Sequence, residues 1–461
     1  MSWRKKLDCR TVMMSHDRDR ALWTTLLTKF NWLSLLIGVM ATDIKPKILS
    51  LHGRGLKLDS RGDIEPYIKD VDPRTLEEIH FGGNTLGVDA SLALAEFLQK
   101  TEVLKVCERY SIDCHIFSFA HKWPQVANFA DIFTGRLISE IPQALSNICD
   151  ALKDKTSLVE INLSDNAFGG RSVDPMVPFL THNRSFQILR LNNNGLGPAG
   201  GKVIAEALLE SARLSEAEGK KSNLKVVICG RNRLENGSAP MWAEAFATHG
   251  TLVEVRMVQN GIRMEGILEL AKGLAQCPDL EHVDLQDNTF TVDGDLTGVE
   301  AWTTALRLWP NLHTLNLSDC VLSAEGEVPT LIEALAKGSS PKLHTLQLQN
   351  NNLETTSFAV LAAAISQGLS SLMRLELQWN EIDDDDEHLE NIGLSLKQRG
   401  GKLYANDDDE EEQVEEELEL EEEEEEIPKL DLEPPKLPEV KKVTDTADDL
   451  AEMLSKVKIE Y

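Results

Sequence analysis

The sequence predicts an α/β solenoid, a horseshoe with a parallel sheet on its concave face and helices on its convex face, and three observations predict it. A pattern L-x-x-L-x-L-x-x-N-x-L returns along the chain; its asparagine slots fall at 166, 194, 232, 260, 288, 320, 351 and 380, spaced 28 to 38 residues apart. Between copies the apolar residues switch to helical spacing, as Ile267, Leu270, Ala271 and Leu274 do. A period of that length holds one short strand and one full helix, the long type of leucine-rich repeat. One such unit cannot bury its own apolar face, so it is stable only when stacked. At 461 residues the chain exceeds what one compact core usually holds, whereas a stacked core grows with each repeat.

Taken in order, residues 1–43 form an N-terminal extension. Arg4, Lys5, Lys6 and Arg10 precede an apolar run from Phe30 to Met40, which has the outline of a secretory signal. Asn31 and Ser34 interrupt the run, and it is too short and too polar for a membrane span. The extension is expected to be disordered or a product of gene prediction, with Met40 as the natural start. Residues 44–405 are expected to form one domain of about eleven repeats. Leu49, Leu51 and Leu56 make a partial first copy with Arg54 in the asparagine slot, and Leu76, Ile79, Phe81, Asn84 and Leu86 a full second one. The third copy is degenerate, around Asp131-Ile132-Phe133, and eight more run from Leu158 to Ile382. Between the second and third copies, residues 107–126 (CERYSIDCHIFSFAHKWPQV) fit neither period and read as an irregular insert. Their Cys107, Cys114, His115 and His121 have the spacing of no familiar zinc finger, so no metal site is expected. The interval from 194 to 232 is ten residues longer than its neighbours; the Ser, Glu, Lys and Gly around Ser215 to Ser222 read as a longer surface loop. Residues 406–426 are an acidic run expected to be disordered, and residues 427–461 a proline-containing tail with a short amphipathic helix at Leu450, Met453, Leu454 and Val457.

Charge and cysteines narrow the function. With 47 Lys plus Arg against 76 Asp plus Glu, the net charge of −29 argues against nucleic acid and anionic membranes as partners. The seven cysteines are odd in number and form no C-x-x-C pair, and Cys229 and Cys320 fall on inward-facing repeat positions, which fits a reducing compartment. The sequence contains no phosphate-binding loop ending in Lys-Ser/Thr, no H-E-x-x-H and no G-x-S-x-G, so no enzyme of its own is expected. The ladder asparagines, Asn84 through Asn380, are read as structural: they should bond backbone inside the stack.

Surface residues remain. Strand alternation buries Leu189 and Leu191 and points Arg190 and Asn192 to the concave face. Residues just after each strand line one rim of the horseshoe. That rim is unusual in three repeats: Asp131-Ile132-Phe133-Thr134-Gly135-Arg136, Asn192-Asn193-Asn194-Gly195 and Gly230-Arg231-Asn232-Arg233. At about 5 Å per strand they span roughly 15 Å, the scale of a nucleotide site and its flanking loops.

Five segments carry a resemblance: ANFADIFTGRLISEIPQAL (127–145), LSDNAFG (163–169), LNNNGLGPAG (191–200), ICGRNRLENGS (228–238) and VQNGIRMEGI (258–267). Together with the acidic run they resemble the Ran GTPase-activating proteins, in the fungal form that lacks the large C-terminal domain of animal members. The resemblance implies acceleration of GTP hydrolysis by Ran, in support of nucleocytoplasmic transport and without an inserted arginine finger. It assigns the activity to Arg136 and Asn193, with Asn193 orienting the glutamine of the GTPase and Arg136 binding and orienting the GTPase itself. Arg233, Arg231, Asn192 and Thr134 are the expected partner-binding residues. The implied partners are Ran bound to GTP and a Ran-binding protein; GTP and Mg belong to the GTPase, so no cofactor is expected here. A monomer in the cytoplasm or near the nuclear envelope completes the expectation. The alternative is a non-catalytic binder of the ribonuclease-inhibitor type, a class that is cysteine-dense where this chain is not.

Overall fold

The computed structural model describes residues 47–101, 125–383 and 385–406. The N-terminal extension, the first eighteen residues of the proposed insert, the acidic run beyond Asn406 and the proline-containing tail lie outside them.

The described residues build a single coil of stacked strand–helix turns. Twelve parallel strands pair in chain order in one sheet. They are β1 (Ile48–Ser50), β3 (Glu78–His80), β5 (Gln125–Asn128), β6 (Leu158–Asn162), β7 (Ile188–Arg190) and β8 (Val226–Ile228), then β9 (Glu254–Arg256), β10 (His282–Asp284), β11 (Thr314–Asn316), β12 (Thr345–Gln347), β13 (Arg374–Glu376) and β14 (Lys402–Tyr404). A second, two-stranded parallel sheet joins β2 (Lys57–Leu58) to β4 (Thr85–Leu86), just past the asparagine slots of the first two repeats. Helices separate the strands: α1 (Arg61–Ile68), α2 (Val88–Gln99), α3 (Ile141–Leu152), α4 (Val177–His182), α5 (Gly197–Ala217), α6 (Glu235–His249), α7 (Met264–Leu274), α8 (Thr297–Leu306), α9 (Thr330–Ala336), α10 (Thr355–Ala364) and α11 (Glu387–Gln398). The expected leucine-rich-repeat solenoid is the observed fold. No helix among the described residues is long and apolar enough to cross a membrane.

One core column runs the length of the coil because every repeat supplies the same inward positions. Ile267, Leu270, Ala271 and Leu274 are all buried, as their spacing requires, and so are Leu189 and Leu191. Cys229 and Cys320 lie fully buried as free thiols, and burial pushes the Cys229 thiol up to about 12, so it stays protonated.

The ladder asparagines do what buried backbone demands. The side-chain oxygen of Asn232 accepts from Asn194 N (2.9 Å), that of Asn260 from Asn232 N (2.9 Å) and that of Asn194 from Asn166 N (2.9 Å). Each Nδ2 donates backwards to carbonyls inside the coil, as Asn260 does to Cys229 O (2.9 Å) and Met257 O (3.0 Å). Each asparagine thus ties its repeat to the one before, satisfying backbone groups inside the coil, and some carbonyls, such as Met257 O, accept from two successive asparagines.

Two boundaries differ from the sequence reading. Strand β5 begins at Gln125, so the last two residues placed in the insert belong to the sheet, where Val126 pairs with Glu78 and Glu160. The ten extra residues before β8 do not simply form a loop. They extend α5 to 21 residues, through Ala217, because the apolar face continues past Leu208 and Ala212 and Ser215 turns its hydroxyl onto Ser211 O (3.0 Å). Only residues 218–225 then run as a connection.

Candidate functional site

Immediately after each sheet strand the chain must turn sharply while its next N–H still reaches the following repeat. The solution repeats along the whole rim: the residue before each slot adopts the left-handed conformation. Asp131 (φ 46°), Asp165 (60°), Asn193 (53°), Arg231 (55°), Gln259 (50°), Asp287 (55°), Asp319 (58°), Asn350 (48°) and Trp379 (59°) form this column. Their N–H groups donate across repeats, Asn193 N to Gly230 O (2.9 Å) and Arg231 N to Val258 O (2.8 Å) among them. Asp and Asn tolerate this region because their short side chains bond locally; longer residues adopt it at a cost. A second left-handed column lies one place after the slot, with Ala167, Gly195, Arg233, Gly261, Val321 and Asn352.

The sixth repeat stands out against both columns. Arg231 and Arg233 are the only cations in either column among the described residues; both are exposed, and neither side chain has a hydrogen bond or ion pair there. Arginine gains nothing from a left-handed backbone, so the fold alone does not account for it at either place.

Next to them, on the adjacent strand, stands Asn193. It is exposed, and its Nδ2 donates to Asp165 Oδ1 (2.9 Å). A carboxylate only accepts, so Asp165 fixes which way the amide faces and leaves the Asn193 Oδ1 as an open acceptor toward solvent. The same bond recurs far along the rim, where Asn350 Nδ2 donates to Asp319 Oδ1 (2.7 Å). What sets Asn193 apart is the pair of free arginines in the next repeat. Asn192 is half-buried; its Oδ1 accepts from Gly230 N (2.7 Å), leaving its Nδ2 free. Gly230 has to lack a side chain, since a Cβ would stand 2.5 Å from Val258 Cγ2.

Arg136 is placed differently from the rim position that its spacing suggests. Its backbone lies in the exposed turn after β5, but its guanidinium runs back across two repeats onto the two-stranded sheet. Nε donates to Thr85 Oγ1 (2.8 Å), Nη2 to Thr85 O (3.1 Å) and Leu58 O (3.3 Å), and Nη1 to Asp59 Oδ1 (2.5 Å). The side chain is only 8% exposed. Thr134 is exposed, with its hydroxyl on Asp131. So Asn193, Arg231 and Arg233 share one open margin, flanked by Asn192 and Thr134, while the Arg136 side chain turns into the stack. Asp165, Thr85 and Asp59 were not singled out from sequence. The column could have signalled Asp165; nothing local could have signalled the other two, 51 and 77 residues from Arg136.

Comparisons with known proteins agree with this frame. The leucine-rich-repeat family model matches residues 182–205 and 310–326. The chain is 34% identical to the Ran GTPase-activating protein 1 of Saccharomyces cerevisiae over 351 residues, 75% of this chain and 81% of that protein. It is 43% identical to the Xenopus laevis Ran GTPase-activating protein 1 over 218 residues, 46% of this chain but 34% of that longer protein. Similarity to the ribonuclease inhibitor of Sus scrofa is lower, 25% over 260 residues, 56% of this chain and 53% of that protein. A relative 34% identical over three quarters of this chain and four fifths of its own length settles the family: the chain belongs to the Ran GTPase-activating proteins.

Proposed function

We propose that this chain stimulates GTP hydrolysis by Ran from its rim, by holding the GTPase's own glutamine and attacking water in line rather than by inserting an arginine. The observation that carries this reading is the oriented, solvent-facing Oδ1 of Asn193. A glutamine side-chain amide presents N–H donors, and an acceptor already fixed by Asp165 would hold them without first losing its own freedom. Phosphoryl transfer is accelerated mostly by positioning and electrostatics, so ordering the glutamine and water is a sufficient task for an activator.

Arg231 and Arg233 are the free cations beside Asn193, suited to acidic side chains of the GTP-bound partner; Thr134 and the free Nδ2 of Asn192 extend the same contact. GTP and Mg reside on the GTPase and this chain adds no cofactor. The acidic run after Asn406 steers the encounter through long-range attraction to a basic partner surface, in a salt-dependent way. A monomer acting in the cytoplasm or near the nuclear envelope, with a Ran-binding protein on the same GTPase, is the working form, and its role is in nucleocytoplasmic transport.

The freedom of Arg231 and Arg233 favours one rival, an arginine finger from the sixth repeat. Phosphate release from GTP-loaded Ran in a single turnover, at saturating activator, separates the readings. Positioning predicts that Arg231→Asn and Arg233→Asn raise the half-saturating concentration and leave the maximal rate within about threefold. A finger predicts loss of the maximal rate by about a thousandfold. A purely binding solenoid of the ribonuclease-inhibitor kind predicts no acceleration by the parent protein at all.

A further inference from the structure

The guanidinium of Arg136 is already committed. Four of its hydrogen bonds reach Thr85, Leu58 and Asp59, and the recess around it is shaped to fit. A Cβ at Gly87 would lie 2.8 Å from Asp59 O and 3.1 Å from Arg136 Nη1, so only glycine leaves room for the charged group. To reach a partner, the side chain would have to abandon these bonds together. Any contribution of Arg136 to activity therefore passes through what it holds.

What it holds is the turn from Thr134 to Ser139. Arg136 N donates to Phe133 O (3.0 Å), Leu137 N to Glu140 Oε2 (3.2 Å) and Glu140 N to Leu137 O (2.9 Å), so the turn is braced at both ends. At its tip Leu137 is 67% and Ile138 64% exposed; among the described residues no other two neighbours in sequence are both large, apolar and this exposed. The tip continues the rim, two strands from that of Asn193. Two adjacent aliphatic side chains held rigidly in water have no folding rationale, and preorganised apolar anchors are what a protein interface needs at its centre.

We propose that Asp59 is a positioning residue: by locking Arg136 into the first two repeats it sets the Thr134–Ser139 turn, so that Leu137 and Ile138 dock on an apolar patch of the GTPase beside its active site. The inference rests on the GTPase-activating reading above. The neighbouring guanidinium holds the Asp59 carboxyl below its ordinary value, so the anchor stays charged at neutral pH.

The experiment is a double-mutant cycle on the full chain, with Asp59→Ala, Arg136→Ala and both together. GTP hydrolysis by Ran is read as half-saturating concentration and maximal rate, and urea unfolding of each variant confirms folding. If Asp59 acts through Arg136, each single variant raises the half-saturating concentration by about tenfold and the double is no worse than the weaker single within about twofold. Asp59→Glu restores part of the loss, and Leu137→Ser with Ile138→Ser raises the half-saturating concentration by at least about tenfold with the maximal rate kept within about threefold. Multiplying effects in the cycle, or parent behaviour of folded Asp59→Ala or of the Leu137/Ile138 double variant, would overturn the proposal. Failure of the parent protein to accelerate hydrolysis would instead remove the reading on which it rests.

Discussion

Asn193 and Asn350 make the same bond to an aspartate in the preceding repeat and share the same left-handed backbone, so the pair by itself is a feature of the rim. Function must come from what surrounds it, and only Asn193 has two free arginines in the next repeat. Those arginines occupy positions where Asn or Gly would be conformationally easier. Arg231→Asn should therefore leave unfolding free energy unchanged or raise it by up to about 1 kcal/mol, while weakening the productive complex with Ran. Urea titration and half-saturation measurements on the same preparation check this; a variant both less stable and equally active would assign Arg231 to the fold. The rim residues were legible in the sequence because turn chemistry is local. The Arg136 guanidinium was not, because its partners Thr85 and Asp59 come from other repeats and only stacking brings them within reach.

At the scale of the element, the slot asparagine joins one repeat to the next. Asn260→Ala would leave Asn232 N and the carbonyl oxygen of Cys229 short of a partner inside the coil, while Met257 O keeps its bond from Asn288, at a cost of about 2–4 kcal/mol in urea unfolding. The asparagines were legible because they recur with the period, whereas the long α5 was not. Its Ser, Glu and Lys residues look like loop composition, yet the helical face is set by Ile204, Leu208 and Ala212, which meet buried neighbours. The connection that follows α5 brings Ser222 against the end of α6, where its hydroxyl lies 2.6 Å from Nδ1 of the buried His249. Burial lowers the His249 pKa to about 4 from an unfolded value of 6.5. A depressed histidine stabilises the fold fully above pH 6.5, and that contribution is lost as the pH falls from 6.5 toward 4. Asp284, raised by burial to about 6, works in the opposite sense over part of this window, so comparison of variants isolates each group. His249→Gln should flatten the fall in melting temperature between pH 6.5 and 4.5; an unchanged slope would show that His249 does not contribute to it.

The whole molecule is a device for turning a sequence period into a line of side chains. Stacking sets Asp165, Asn193 and Arg231 on successive strands at about 5 Å intervals, a placement no single compact turn of chain provides. The solenoid was readable from sequence because each repeat restates the same pattern. The direction a rim side chain takes was readable only where its partners lie in the same or the next repeat. The measurement that tests the central claim most directly is single-turnover phosphate release from GTP-loaded Ran at saturating activator, comparing Asn193→Ala with Asn350→Ala, which removes an equivalent rim bond elsewhere. Asn193→Ala should lower the maximal rate by at least about tenfold, roughly 1.4 kcal/mol of barrier, with half-saturation shifted less, while Asn350→Ala keeps the parent rate. Equal maximal rates for both variants would contradict an activating role for Asn193 on this rim.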